Sequence, residues 1–158
     1  MNRIAPDAAA LVLRAVAASI FFPHGWSKVA GEGGSAAFAA GLTEGYGIPA
    51  FLGHLAAYTE VVGAVLLLVG LFTRLDALLL GTTMFVAAFV VQLPDALFDV
   101  PANAIRAFAI LRGIELPLAM LAICCALLLT GGGSFSLDAL LRGMLGKKRA
   151  AAEAAALT

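Results

Sequence analysis

Apolar residues along this chain gather into four long runs, each closed by residues that break helices. The runs cover residues 8–28 (AAALVLRAVAASIFFPHGWSK), 50–72 (AFLGHLAAYTEVVGAVLLLVGLF), 75–93 and 111–130. Each is near the length of about 20 residues that an α-helix needs to cross hydrocarbon. Thr73-Arg74 reads as a tight turn, Pro94 as a stop, and Gly131-Gly132-Gly133 as a triplet no helix continues through readily. The pattern predicts an all-α, polytopic membrane protein: a four-transmembrane-helix bundle forming one domain over residues 1–146. Phe135–Leu145 (FSLDALLRGML) reads as a short C-terminal amphipathic helix lying on the membrane. Residues 147–158 read as a flexible, solvated tail. Two long connections, 29–49 and 94–110, carry most of the Gly and Pro outside the runs, and Ser35–Leu42 and Ala102–Phe108 suit short interfacial helices.

Composition sharpens this reading. Of 158 residues, 62% are hydrophobic and 13% charged, against about half and about a quarter in soluble domains. Ten Lys and Arg balance ten Asp and Glu, so no electrostatic footprint for nucleic acid exists. The two cysteines, Cys124 and Cys125, are adjacent in mid-span, which excludes a disulfide scaffold and gives no zinc spacing. They read as packing thiols, and no metal site is expected. The first run is not a signal peptide, because Arg14 interrupts it and Pro23-His24-Gly25-Trp26 is a poor cleavage context. An even number of spans puts Arg3, Arg74, Arg142, Lys147, Lys148 and Arg149 on one side and Lys28, Arg106 and Arg112 on the other. The positive-inside rule then places both termini in the cytoplasm.

Ionisable residues within spans are costly, so each needs a reason. From the assumed helix ends, His24, His54, Gln92 and Glu115 fall roughly 4–8 Å below the outer boundary, with Lys28 and Arg112 just above. Arg14, Ala17, Phe21, His24 and Lys28 follow three- and four-residue steps and share a face, as do Gly81, Phe85, Ala88 and Gln92. Four spans therefore bring hydrogen-bonding groups to one layer, and His24, Lys28, His54, Gln92, Arg112 and Glu115 form the candidate ligand site. Arg14 and Glu60 lie deeper, roughly 7–8 Å apart in height at 1.5 Å of rise per residue, and suit a structural ion pair between the first two spans. Plainer roles stand beside these. His24 and Lys28 also suit the water boundary, Glu115 with Arg112 a local helix-start pair, His54 an interfacial histidine, and Trp26 and Tyr58 interfacial anchors. Haem ligation by the two histidines is disfavoured, since both lie near one surface.

Arg14 followed by Phe21-Phe22-Pro23-His24-Gly25-Trp26-Ser27-Lys28 resembles the opening of DoxX family membrane proteins. Tyr58-Thr59-Glu60-Val61-Val62-Gly63, with Gly70-Leu71-Phe72-Thr73-Arg74, resembles that family's second span and turn. Glu115-Leu116-Pro117 and Gly132-Gly133-Ser134-Phe135-Ser136-Leu137-Asp138 fit the same template, so the likeness covers residues 8–141. It implies a multi-pass protein of the bacterial inner membrane with a link to quinone or to a soluble or membrane oxidoreductase partner. The family takes its name from a subunit associated with a terminal quinol oxidase and with thiosulfate:quinone oxidoreductase. This chain lacks CxxC, flavin, nucleotide and metal motifs, so the resemblance does not by itself make it catalytic.

Two functions fit. In the first, the chain is a redox subunit whose site takes a quinone head group, with no covalently bound cofactor. His24, His54 and Gln92 would supply hydrogen bonds, and Glu115 would exchange protons with the outer water, with Arg112 or Lys28 holding its charge. In the second, it is a non-catalytic carrier of a small molecule or lipid, or a scaffold. Stripes of small residues suit either tight internal packing or a homo-oligomer.

Overall fold

The computed structural model describes residues 4–98 and 104–156. All elements within them are helical: α1 Ile4–Ala30, α2 Gly34–Tyr46, α3 Ala50–Val69, α4 Thr73–Val86, α5 Leu93–Phe98, α6 Ala104–Thr130 and α7 Leu137–Ala156. A π-helical segment, Ala87–Gln92, joins α4 to α5 without a break. Four stretches, Ile4–Ala30, Ala50–Val69, Thr73–Asp95 and Arg112–Thr130, are long and apolar enough to cross a membrane. The most extensive packing is α1 on α3 and α4 on α6, with α2 laid against α3.

The core is made of small and medium side chains, including Ala17, Phe21, Ala64, Leu67, Leu80, Met120 and Leu127. Lipid-facing positions such as Leu55, Val62, Leu68, Leu75 and Leu129 stay exposed on the outside of the bundle. Without a hydrophobic drive between helices in lipid, close backbone approach carries the packing. Gly25 shows it: a Cβ there would stand 2.7 Å from the Val61 backbone nitrogen and 2.8 Å from Glu60 Cβ. That glycine lets α1 cross α3 at the level of Glu60.

At the end of the bundle holding the α3–α4 turn, polar groups tie four segments together. Gly70, at φ +72°, ends α3, and its amide donates to the Leu66 and Leu67 carbonyls. The turn is therefore Gly70–Phe72, with Thr73 and Arg74 already inside α4 rather than forming the turn. Asp138 at the start of α7 accepts the Phe72 and Thr73 amides at 2.8 and 2.9 Å, capping α4 from a distant part of the chain. Asp7 of α1 accepts the Ser134 hydroxyl and amide.

Several expectations shift. The helix of the third span does not stop at Pro94 but continues through it to Phe98, the span itself ending at Asp95. Proline lacks an N–H and its ring crowds the preceding turn, and the wider π turn just ahead of it takes up both defects. The Ser35–Leu42 helix is present and longer, as α2. Ala102–Phe108 is not a separate helix where it is described, because Ala104 opens α6; Arg3 lies outside the described residues. The amphipathic C-terminal helix extends through the tail to Ala156, as the alanine-rich sequence after Arg149 favours.

Candidate functional site

At the end of the bundle opposite the α3–α4 turn, a cavity of about 330 Å³ opens between α1, α3, the α4 extension and α6. His24, Lys28, Glu60, Gln92 and Arg112 are its polar lining, set among Phe21, Met84, Leu116, Pro117 and Met120. Four of the six residues expected in the ligand layer thus meet around one space, and Glu60 joins them. A mostly apolar wall with a few convergent polar groups is the usual make-up of a small-molecule pocket, and this volume lies at the low end of the usual range.

Lys28 and Glu60 form the floor. Nζ donates to Oε1 at 2.5 Å and to Oε2 at 2.6 Å, with Glu60 only 2% exposed. The ammonium also lies 5.0 Å from the centre of the Phe38 ring of α2, within cation–π range. His24 Nδ1 is 2.9 Å from the Ile20 carbonyl of its own helix. A carbonyl can only accept, so Nδ1 is the donor in this contact, which leaves Nε2 as the ring nitrogen not bound to its own helix. Gln92 sits at the last position of the π-helical segment, and its Oε1 is buried with no hydrogen-bond partner. Arg112 is exposed beside the mouth, stacked 5.7 Å from the centre of the Phe108 ring.

The expected pair of Arg14 and Glu60 does not form. Side chains on a helix lean toward its N-terminus. Arg14 on α1 therefore leans toward the turn end, while Glu60 on the antiparallel α3 leans the other way, to meet Lys28. Arg14, 1% exposed, donates to four carbonyls instead: Leu67 (2.8 Å), Leu68 (2.9 Å), Gly132 (2.8 Å) and Phe135 (2.8 Å). It satisfies the open carbonyls at the end of α3 and fastens the glycine-rich link before α7 to them.

His54 and Glu115 stay outside the cavity. His54 Nδ1 pairs with the Ser35 hydroxyl at 3.0 Å, joining α3 to α2. On α6 the lining stripe is Arg112, Gly113, Leu116, Pro117 and Met120, and Glu115 is exposed, rotated roughly 130° from its centre at about 100° per residue. A depth reckoned along the helix axis does not fix facing. Trp26 is likewise outside, stacked on Phe22 with ring centres 5.9 Å apart on an exposed face.

Sequence reasoning passed over two acids, Asp76 and Asp138. Asp76 is 3% exposed in the first turn of α4, with Oδ2 unpartnered. Its signal was there: an acid one turn inside an apolar span rather than before it. Asp138 is partly buried at the turn end. Burial alone would raise its carboxyl, but the Thr73 and Phe72 amides, with Arg142 nearby, hold it below the ordinary carboxylate range. Among the described residues no group of three or more His, Cys, Asp or Glu is placed to hold a metal. Cys124 is buried and Cys125 exposed, both free.

A family model described as DoxX matches residues 9–93, just over half of the chain. A Bacillus subtilis (strain 168) protein named "Putative oxidoreductase CatD" is 36% identical over 83 residues, which are 52% of this chain and 59% of that relative. The chain thus spans less than two thirds of the relative's length. No solved structure matches the chain. The family match takes in Arg14, His24, Lys28, Glu60, Asp76 and Gln92, and stops short of α6.

Proposed function

The chain belongs to the DoxX family, and from that membership and the lining of the cavity we propose that it is a quinone-binding subunit of a membrane oxidoreductase system. The observation that carries this is the meeting of His24, Gln92 with its unpartnered Oε1, and the Lys28–Glu60 pair around one largely apolar space. A quinone or hydroquinone ring needs flat apolar walls and hydrogen-bonding groups at its two oxygens. Phe21, Met84, Leu116 and Met120 provide the walls. His24 is placed to accept a hydroxyl proton, and Gln92 to complete a bond that its own fold leaves open. Electrons would pass to or from a partner oxidoreductase, since the chain itself carries no redox motif. A relative named as an oxidoreductase supports this direction.

The charge distribution favours the bacterial inner membrane, with the α3–α4 turn and α7 in the cytoplasm and the cavity opening outward. Arg74, Arg142, Lys147 and Lys148 all belong to the turn end. A reporter fused to the C-terminus that is active only in the cytoplasm tests it.

The experiment for the ligand is equilibrium dialysis of a short-chain ubiquinone and of menadione against the purified protein in detergent, with empty detergent as control. Saturable binding, weakened about tenfold by His24→Ala and untouched by Glu115→Gln, supports the site. Uptake that rises linearly and is the same for both variants means partitioning into the micelle, and would leave the carrier or scaffold reading in its place.

A further inference from the structure

Two buried polar groups of α4 have no use in the cavity. Asp76 is 3% exposed and Thr73 0% exposed; Asp76 Oδ2 lacks a hydrogen-bond partner, and the Thr73 hydroxyl lies toward the Asp138 carboxylate without completing a well-formed bond. They are three residues apart and so lie on one face of the helix. Two neighbouring under-satisfied groups in an apolar interior are the setting in which proteins bind an ordered water. An unpaired carboxylate is costly to bury there and a carboxylic acid much less so.

Their surroundings form a sequence through the bundle. Lys28, on the cavity floor, holds Glu60. One turn further along the buried face of α3 is Gly63, and a Cβ on it would stand 2.6 Å from Asp76 Oδ1. Asp76 lies one turn from Thr73, whose amide donates to Asp138 at 2.9 Å. Asp138 in turn lines a second cavity, about 260 Å³, with Arg74 and Arg142 at the turn end. Three carboxyl groups on α3, α4 and α7 thus descend from one cavity to the other. Other polar groups facing this line are Cys124 of α6, Ser136 before α7, whose hydroxyl donates to the Gly133 carbonyl, and Arg14 of α1, whose guanidinium is engaged by the Gly132 carbonyl beside Thr73.

We infer that Glu60, Asp76 and Asp138 are a proton path between the ligand cavity and the opposite face of the membrane, with Asp76 as its central carrier. Asp76 receives a proton through water on one carboxyl oxygen and releases one from the other toward Thr73 and Asp138. Net movement is one proton and no electron. This rests on the proposed ligand site only for what feeds the path: a hydroquinone is a ligand class whose oxidation releases protons, but the path exists without it.

The test is proton flux in proteoliposomes carrying a trapped pH dye, with the membrane potential clamped by potassium and valinomycin. The expected result is a flux into wild-type vesicles that Asp76→Asn reduces to the rate of protein-free vesicles and Asp76→Glu restores in part. Thr73→Val, nearly the same shape, should slow it while leaving the fold and ligand dialysis unchanged. Infrared difference spectra on acidification should show a buried carboxylic-acid band that is absent in Asp76→Asn. Wild-type flux no greater than that of empty vesicles, or flux that Asp76→Asn and Thr73→Val leave intact, overturns the path. Flux that follows Asp76 in a protein showing no saturable quinone binding keeps the path and overturns the ligand reading. Saturable binding with flux indifferent to Asp76 does the reverse.

Discussion

Lys28 and Glu60, 32 residues apart on antiparallel helices, share a bidentate contact in which the ammonium lies 2.5 and 2.6 Å from the two carboxylate oxygens. The two partners are not equally buried: the Lys28 side chain is 24% exposed and that of Glu60 2%. Gly25 makes the contact reachable by letting α1 and α3 approach closely just there. The pair is at once the floor of the cavity and a cross-link between the two helices with the largest mutual interface.

The asymmetry in burial predicts an asymmetry in cost. Lys28→Met strands a charge that is almost wholly buried, whereas Glu60→Gln leaves a lysine able to extend toward the cavity. Removing the partner of a buried charge costs about 3–5 kcal/mol. Lys28→Met should approach that figure, Glu60→Gln should cost less, and Lys28→Met with Glu60→Leu should recover much of the loss. Reversible unfolding in detergent checks the order, and Glu60→Gln proving the more damaging of the two would contradict it.

Arg14 and Glu60 should behave independently, because they share no partner. Arg14→Lys keeps the charge but loses the planar fork that serves four carbonyls. A loss of about 2–3 kcal/mol is expected, in the range of hydrogen bonds made by charged groups. In a double-mutant cycle with Glu60→Gln the coupling should be within about 0.5 kcal/mol of zero. A coupling well above that would restore a direct Arg14–Glu60 interaction.

How far this could be read from sequence depends on which coordinate is asked for. Spans and the level of polar groups follow from hydropathy and rise, and His24, Lys28, Gln92 and Arg112, placed at one level on that basis, line one cavity. Direction is harder. Depth was reckoned along the helix axis, but Arg14 and Glu60 lean in opposite senses from their Cα positions, so a small difference in height became two separate sites. Glu115 failed in rotation rather than depth, since α6 shows the cavity a stripe centred between Leu116 and Met120. The π turn was hidden behind Pro94, which sequence rules read as an end. Asp138 as a cap on α4 is a contact across 65 residues that no local pattern encodes.

Asp138 gives a prediction in pH. Its carboxyl is held below the ordinary range in the fold, so its stabilising effect is complete above the unfolded value of about 3.9 and is lost as pH falls through the lower folded value. At neutral pH, Asp138→Asn should cost about 1 kcal/mol, the usual worth of a helix cap. As pH falls below about 4 the wild type should lose that advantage and the two stabilities converge. Unfolding curves of both proteins across that interval decide it, and a gap that widens on acidification would mean that the cap is not the carboxylate.

Gln92 separates stability from ligand binding. Its Oε1 is buried without a partner, and a buried polar group left unsatisfied costs about 1–3 kcal/mol. Gln92→Leu replaces it with an apolar side chain of similar size. If the amide is kept for packing or for the π turn, the variant should be less stable. If it is kept to bond something that enters the cavity, the variant should be as stable as the wild type or more so, by up to about 1 kcal/mol, while quinone binding weakens about tenfold. We expect the second outcome. Measuring unfolding and dialysis on the same preparation decides between them, because only a group positioned for a ligand improves the fold and harms binding when it is removed.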